Sequence, residues 1–231
     1  MKFVNLYTET EYSLLASPNK ITELLEKASL YHYQSLAITD YNNMYGAVKF
    51  YCECKSKNIK PIIGLHFDVG GINLLLYAKN LLGYKELLRL ATIAKIESNN
   101  FELANFMGKV DNCIAVIPSD ENEIVKKFLS GNIAESSNML LKYKSVLSEL
   151  YFGIDLQTVL MKEKINELIG FAANYKVPCV ALQKVSYLNK ENFDAYIFLK
   201  CIGLALNNYP YTEKEMNLNL LPRLEVEGLF S

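Results

Sequence analysis

Short apolar runs of strand character alternate with longer segments of three- and four-residue apolar spacing along most of this chain. Ser35–Thr39 (SLAIT) and Val177–Leu182 (VPCVAL) are apolar on both faces, the pattern of a strand covered on both sides. Between such runs lie helical stripes: Ile21, Leu24, Leu25, Ala28 and Leu30; then Leu81, Tyr84, Leu87, Leu88 and Ala91 within Asn80–Lys95; then Ile165, Leu168, Ile169 and Ala172 within Lys162–Tyr175. Repeated strand–helix units require a mostly parallel sheet with its helices outside. Six or seven units over about 200 residues favour a closed barrel over an open doubly wound sheet. No glycine-rich phosphate loop follows the first strand, which counts against a nucleotide-binding alternative.

The remaining elements follow the same logic. Phe3–Tyr7 reads as a strand, and Ser17-Pro18 as an N-cap with a first-turn proline. Gly46–Lys57 is helical, with Val48, Tyr51 and Cys52 on one side. Lys60–Val69 and Ile72–Ala78 form two strands of a hairpin turned at Gly70-Gly71. Asn112–Ile117 and Leu150–Ile154 are strands. Ser119 is placed to cap a helix whose first turn holds Asp120, Glu121 and Glu123. Asn192–Leu206 is helical. The segment from Asn207, with Pro210 and Pro222, is polar and weakly periodic. The division expected is a barrel over 1–206 and a tail over 207–231.

Charge limits the partners. Lysines and arginines number 24 against 25 acids, a net charge of -1, whereas domains that grip nucleic acid through their overall field are strongly basic. The clusters Lys55–Lys60 and Lys126-Lys127 are short and read as solvated helix faces. The 5 cysteines contain no C-x-x-C pair, so neither a zinc ribbon nor a thioredoxin-type site fits; reduced, mostly buried thiols are expected. No signal peptide opens the sequence and no window approaches the ~18 apolar residues of a membrane span, so a cytoplasmic protein without membrane contact is expected. Only 2 histidines, His32 and His66, are present, which excludes any site built on many imidazoles.

In barrels of this kind the chemistry gathers at the C-terminal ends of the strands. There the sequence places Tyr7 to Glu11, then Asp40 to Asn43, then His66 and Asp68, then Asp155 and Gln157, and finally Gln183, Lys184 and Ser186. The segments FVNLYTETEYSLL from Phe3, SLAITDYNN from Ser35 and GAVKFY from Gly46 resemble a known family. KPIIG from Lys60, LYAKN from Leu76 with Gly83-Tyr84, VPCVA from Val177 and VSYL from Val185 follow in that family's order and spacing. It is the PHP (polymerase and histidinol phosphatase) domain of the bacterial replicative DNA polymerase III alpha subunit. The resemblance covers residue 3 to about residue 205, and the passage from Leu218 to Phe230 is similar to the family's entry into the polymerase body.

The resemblance implies an α/β fold, a distorted (β/α)7 TIM-like barrel of the PHP type, with metal ions held at the strand ends by His, Asp and Glu. This sequence departs from that pattern at each block. The family's His-x-His is here Tyr7-Thr8-Glu9, and its Asp-His is Asp40-Tyr41. The glutamate after Ile-Ile-Gly is replaced by His66, and the last Asp-x-His is Lys184-Val185-Ser186. Near Leu156-Gln157, where the family can carry another histidine, there is none. A multi-metal site needs several anionic or imidazole ligands converging on each ion. Glu9, Asp40 and His66 are the ligands left, enough for one weakly held ion, and Lys184 brings a competing positive charge that could pair with Asp40 or Glu9.

The same residues have simpler readings. Asp40 is a turn or cap residue, His66 a hydrogen-bonded histidine, and Glu9 and Glu11 solvated loop charges. Tyr7 and Tyr41 fill space that ligands and ions would occupy, and His32 sits at the surface near a helix C-terminus. The function the resemblance implies is that of a catalytically inactive PHP domain of a larger DNA-directed DNA polymerase, a scaffold and docking unit with no catalytic residue and no cofactor of its own. Its partners are then the polymerase body of the same chain and a proofreading exonuclease or other replisome subunit. DNA contact and Mg belong to the parent enzyme. The competing expectations are an active metal-dependent phosphoesterase (a 3′-5′ exonuclease or pyrophosphatase) and a free-standing small-molecule enzyme, which the near-absence of histidine disfavours.

Overall fold

A computed structural model describes residues 3–97, 101–119, 122–156, 159–208 and 217–230, the side chains of 159–162 excepted. Six strands form one sheet in the order β2 (Ser35–Ile38), β3 (Lys60–Val69), β4 (Ile72–Ala78), β5 (Cys113–Pro118), β6 (Leu150–Asp155) and β7 (Cys179–Leu182). The pairs β2–β3, β5–β6 and β6–β7 are parallel, and β4 runs antiparallel to both neighbours. The reversal follows from the tight Gly70-Gly71 turn, both at positive φ, which leaves no room for a crossover helix.

The sheet curls, and a short pair closes its gap. Strand β1 (Tyr7–Thr8) pairs in parallel with β8 (Lys184–Val185), which follows β7 after the single residue Gln183. On its other side β1 reaches β2 through Ala37 N to Asn5 O at 2.9 Å and Thr39 N to Thr8 O at 2.8 Å. The result is the α/β barrel expected from the alternation, distorted at the hairpin and at the β1 seam. Tyr7, Ala37, Leu75, Tyr77, Val116 and Leu182 fill its interior. The larger core lies outside, between the sheet and the helices, around residues such as Leu65, Phe67, Leu87, Phe106, Phe152 and Ala172.

The flanking helices are α1 (Ile21–Leu30), α2 (Ala47–Ser56), α3 (Leu81–Ile96), α4 (Glu123–Leu129), α5 (Ile133–Val146), α6 (Val159–Asn174), α7 (Phe193–Leu204) and α8 (Arg223–Leu229). The rotation of two differs from the periodicity. Helix α2 buries Ala47, Phe50 and Cys54, and turns Val48, Tyr51 and Cys52 to solvent. Adjacent stripes were both apolar, and Phe50 prevails because it fills the space among Ile21, Leu24 and Ile38. Helix α3 buries Gly83, Leu87, Leu90 and Ala94, leaving Leu81 and Leu88 exposed. Gly83 sets that rotation: a Cβ there would lie 2.2 Å from the Asn112 carbonyl oxygen, so the helix approaches the chain closely only on this face.

Local signals were also reassigned by tertiary contacts. Ser17 does not cap α1; its hydroxyl donates to Glu9 O at 3.0 Å and accepts from Asn19 N at 3.2 Å, bracing the loop after β1. Asn122, not Ser119, caps α4 by accepting from Ile124 N at 3.1 Å, while Ser119 accepts from Asp155 N at 3.0 Å. Asp120, Glu121 and Gln157 lie outside the described residues. The predicted strand over 3–7 shrinks to Tyr7–Thr8 with a single bridge at Asn5.

The cysteines are free, and only Cys54 and Cys113 are buried, fewer than expected. Over 217–230 the chain packs back onto the barrel. Leu218, Leu220 and Leu221 are buried, Asn219 bridges to Tyr187, and Tyr33 Oη donates to Leu221 O at 3.1 Å. Helix α8 then brings Glu227 to accept from Phe3 N at 2.7 Å and stacks Phe230 on Phe3 at 6.3 Å between ring centres.

Candidate functional site

The site is set by where β1 stops. Asn5, wholly buried, accepts from Tyr7 N at 3.0 Å and from Thr8 Oγ1 at 2.9 Å, and donates to Gln183 O at 3.2 Å. These bonds brace the start of β1, and Glu9 N donates to Val185 O at 3.0 Å just past its end, which sets Glu9 at the mouth of the barrel. Asp40 and Tyr41 follow β2 after the single residue Thr39. His66 comes from within β3, whose bridge to Tyr41 brings the histidine to the same level. Lys184 and Ser186 come from β8 and its end.

Glu9, His66 and Ser186 are buried and joined. Glu9 Oε1 lies 3.2 Å from His66 Nδ1, and Ser186 Oγ donates to Glu9 Oε2 at 3.1 Å. On the far side, His66 Nε2 lies 3.0 Å from Asn73 Oδ1. Tyr7 and Tyr41 meet the imidazole edge-to-face, at 5.3 Å and 5.1 Å between ring centres. Burial alone would raise the Glu9 pKa. The positive charge of Lys184, then the hydrogen bond and charge of His66, then Lys200, outweigh burial and hold it at about 2. Lys184 is itself buried, its Nζ 5.3 Å from the centre of the Tyr7 ring.

Asp40 does a different task. Its Oδ1 accepts from Thr10 N at 2.7 Å and Ser13 Oγ at 2.6 Å, and its Oδ2 accepts from Thr10 Oγ1 at 2.7 Å. The carboxylate thus pins the loop from Thr10 to Ser13 across the end of β2. Burial pushes its pKa up, and these donors counter the rise only partly. Lys184 acts on Glu9; Asp40 is held by the Thr10–Ser13 loop.

The metal ions that the resemblance implies would have to take their ligands from these donors. Both Asp40 oxygens already accept hydrogen bonds, Glu9 is shared between His66 and Ser186, and His66 is bracketed on both ring nitrogens. Among the described residues no three His, Cys, Asp or Glu side chains are grouped to hold a metal ion. The buried Lys184 ammonium acts on the same carboxylate that a cation would need. The residues present do not fit the group.

The positions singled out from sequence, Tyr7, Glu9, Asp40, Tyr41, His66, Lys184 and Ser186, therefore come together at one barrel end. Glu11 is on the periphery, 3.4 Å from Lys49 Nζ. His32 is exposed at the end of α1 in a left-handed turn, φ 59°. Sequence reasoning placed Thr10 at the strand end without a role and passed over Ser13, the two residues that donate to Asp40, and it passed over Asn73, which lies against His66. The polar Asn73 inside the apolar INLLLYA strand was the available signal. A separate cleft of about 920 Å³ opens beside Tyr41, walled by Asp68, Phe101, Met107, Lys142 and Tyr143. It contains neither Glu9 nor His66 nor Asp40.

Comparisons with known proteins agree with this architecture. Residues 5–159 match the PHP domain family. The chain is 30% identical over 241 residues to the DNA polymerase III subunit alpha of Bacillus subtilis, covering 100% of this chain and 22% of that protein. It is 28% identical over 239 residues to the same subunit of Borreliella burgdorferi, covering 94% and 21%. The chain thus spans about a fifth of the length of the curated relatives it matches. In fold it is similar to an amidohydrolase from Chromobacterium violaceum, with a TM-score of 0.59 and 9% identity over 98% of this chain and 96% of that one. A two-domain protein from Bacteroides vulgatus, described as containing a predicted PHP-like metal-dependent phosphoesterase, gives 0.51 and 8% over 97% and 62%. No helix among the described residues is long and apolar enough to cross a membrane. Its strand order, the residues gathered at the barrel mouth and the match over most of its length lead to one conclusion: the chain belongs to the PHP domain family.

Proposed function

We propose that this chain is a non-hydrolytic PHP domain of a DNA polymerase III alpha subunit, a scaffold that docks the polymerase body and a further replisome subunit. The observation that carries the reading is the engagement of Asp40. A carboxylate that accepts three short hydrogen bonds from Thr10 and Ser13 has become a loop anchor, and freeing it for an ion would release that loop. Lys184 supports the same reading, because its ammonium supplies the positive charge that stabilises buried Glu9. DNA synthesis, with its Mg ions, then belongs to the parent polymerase, and the docked subunit is a proofreading exonuclease or another replisome protein. The fold similarity extends to a protein described as containing a predicted PHP-like metal-dependent phosphoesterase, so hydrolysis is the reading to be tested against.

The test is metal content and hydrolysis. Protein purified without chelator is analysed for zinc, manganese and iron, melted with and without EDTA, and assayed on a phosphodiester and on pyrophosphate with added Mn²⁺ or Zn²⁺. Less than one equivalent of metal, an unchanged melting temperature and no hydrolysis are expected. Two or more equivalents with EDTA-sensitive turnover would replace the scaffold reading by the phosphoesterase.

A further inference from the structure

Helix α3 turns both leucines and cations to solvent on one side. Its other side is buried through Gly83, Leu87, Leu90 and Ala94. The outer side carries Leu81, Leu82, Leu88 and Ile96 at 67%, 58%, 39% and 77% exposure, together with exposed Lys85, Arg89 and Lys95. At about 100° per residue these positions fall within an arc of about 140°, so they share one face. That face has no acid. Glu86, the one acid of α3, is turned to Asn112, accepting from its N at 3.0 Å and its Nδ2 at 2.9 Å. Glu97, beyond the last turn, accepts from Asn105 Nδ2 at 2.7 Å. Among the described residues no ion pair engages Lys85, Arg89 or Lys95. Lys85 and Arg89 are four residues apart, a spacing at which like charges repel.

We infer that this face of α3 binds an acidic amphipathic helix of a protein partner. Charge selects an acidic occupant, which would relieve the repulsion between Lys85 and Arg89. Spacing selects a helix: Leu81, Leu88 and Ile96 recur every two turns, about 10–12 Å apart, with the cations between them. A partner helix with apolar residues at heptad spacing and Glu or Asp beside them matches both features. A lipid surface calls instead for a continuous apolar stripe with cations at its rim, whereas Lys85 stands amid Leu81, Leu82 and Leu88. Single-stranded nucleic acid calls for exposed aromatic rings, and the one tyrosine of α3, Tyr84, is half-buried against the core. The exposed side of α2 is a weaker rival because its cations are engaged: Lys49 lies 3.4 Å from Glu11, and Lys55 covers the Tyr51 ring. The α3 surface lies outside the barrel, so the inference holds whether or not the barrel mouth hydrolyses.

The experiment titrates the 231-residue chain with a synthetic helix of about three heptads, Leu at its core positions and Glu flanking them, and with a twin carrying Lys in place of Glu. Wild type is compared with Lys85→Glu/Arg89→Glu, with Leu88→Asp, and with Lys49→Glu/Lys55→Glu on α2, each checked by melting. Wild type should bind the acidic helix and not its twin, less tightly as salt rises. Binding weakened at least about tenfold by the two α3 variants and unchanged by the α2 pair is expected. Lys85→Glu/Arg89→Glu should instead bind the twin, a gain that misfolding cannot produce. Backbone NMR shifts of wild type, which need no variant, should change over 81–96 on binding. Equal binding of both peptides, shift changes confined to other elements, or no binding of the acidic helix by wild type overturns the inference. Tighter binding of phosphatidylserine vesicles or of a thymidine oligonucleotide, lost in the α3 variants, would replace the acidic helix by lipid or nucleic acid and overturn it.

Discussion

The Glu9 carboxylate lies 3.2 Å from the imidazole of His66, two side chains 57 residues apart in sequence that meet inside one end of the barrel. Both are buried; burial raises the Glu9 pKa, and the Lys184 charge, with the hydrogen bond and charge of His66, outweighs it and keeps Glu9 ionised. The pair is the centre of a polar cluster that an apolar interior must satisfy completely.

Acid should destabilise the protein through Glu9. Its pKa is about 2 in the fold against 4.5 for an unperturbed glutamate, so its contribution is fully present above pH 4.5 and is lost as the pH falls toward 2. The size is on the order of 3 kcal/mol. Asp40 acts oppositely, because its raised pKa makes the ionised form costly and protonation relieves that cost. Urea unfolding between pH 6 and pH 2.5 should show a net loss of stability that Glu9→Gln reduces. A pH dependence identical in Glu9→Gln and wild type would refute the assignment.

Lys184 and Glu9 should be energetically coupled. Lys184→Met leaves a buried carboxylate without its main countercharge and is expected to cost about 3–5 kcal/mol. With Glu9→Gln already present, the same substitution should cost less, by a coupling of about 1–3 kcal/mol. A double-mutant cycle by denaturant unfolding measures this, and strict additivity would show that Lys184 acts elsewhere.

Asp40 should be a stability residue. Asp40→Ala removes the acceptor of Thr10 N, Thr10 Oγ1 and Ser13 Oγ, three donors that become unsatisfied, and is expected to cost about 2–4 kcal/mol. Asp40→Asn keeps one oxygen and should cost less. Amide exchange at Thr10 and Tyr41 should accelerate in both variants, Tyr41 N being bonded to Ser13 Oγ at 3.0 Å. Unchanged exchange at Thr10 would contradict the anchor role.

Gly83→Ala should be among the most damaging single-methyl additions. The new Cβ would lie 2.2 Å from the Asn112 carbonyl oxygen and 3.2 Å from Ala78 Cα, both backbone, so α3 must move off β4. A loss of about 2–4 kcal/mol is expected. Gly170→Ala, in α6 with open space around it, is the control and should be neutral or stabilising by about 0.5–1 kcal/mol. Thermal melts of the two variants suffice, and equal melting temperatures would show that the close approach at Gly83 is dispensable.

Much of this was legible in the chain itself. The alternation of apolar strands with helical stripes determined the barrel, because each strand apolar on both faces demands cover on both sides. The Gly70-Gly71 turn determined the one antiparallel excursion. Hydrophobic spacing also marked Glu9, Asp40, His66, Lys184 and Ser186 as strand-end residues. Spacing did not determine the rotation of α2 or α3, since each had two neighbouring apolar stripes. Phe50 and Gly83 decided between them through volume and contact with other elements. Nor did spacing reveal that Leu218–Leu221 is core, because an extended buried segment has no helical period.

The division is clearest at the site. The sequence by itself determined which chemical groups reach the barrel end and that histidines are scarce there. The tertiary structure decided what those groups do: Asp40 is taken by Thr10 and Ser13, His66 is held between Glu9 and Asn73, and the charge of Lys184 favours the ionised form of Glu9. The physical reason is that strand periodicity specifies direction and level along one strand, whereas hydrogen-bond partners come from different strands. For Glu9 with Ser186 and Lys184 that pairing depends on the barrel's closure between β1 and β8, which no local pattern encodes.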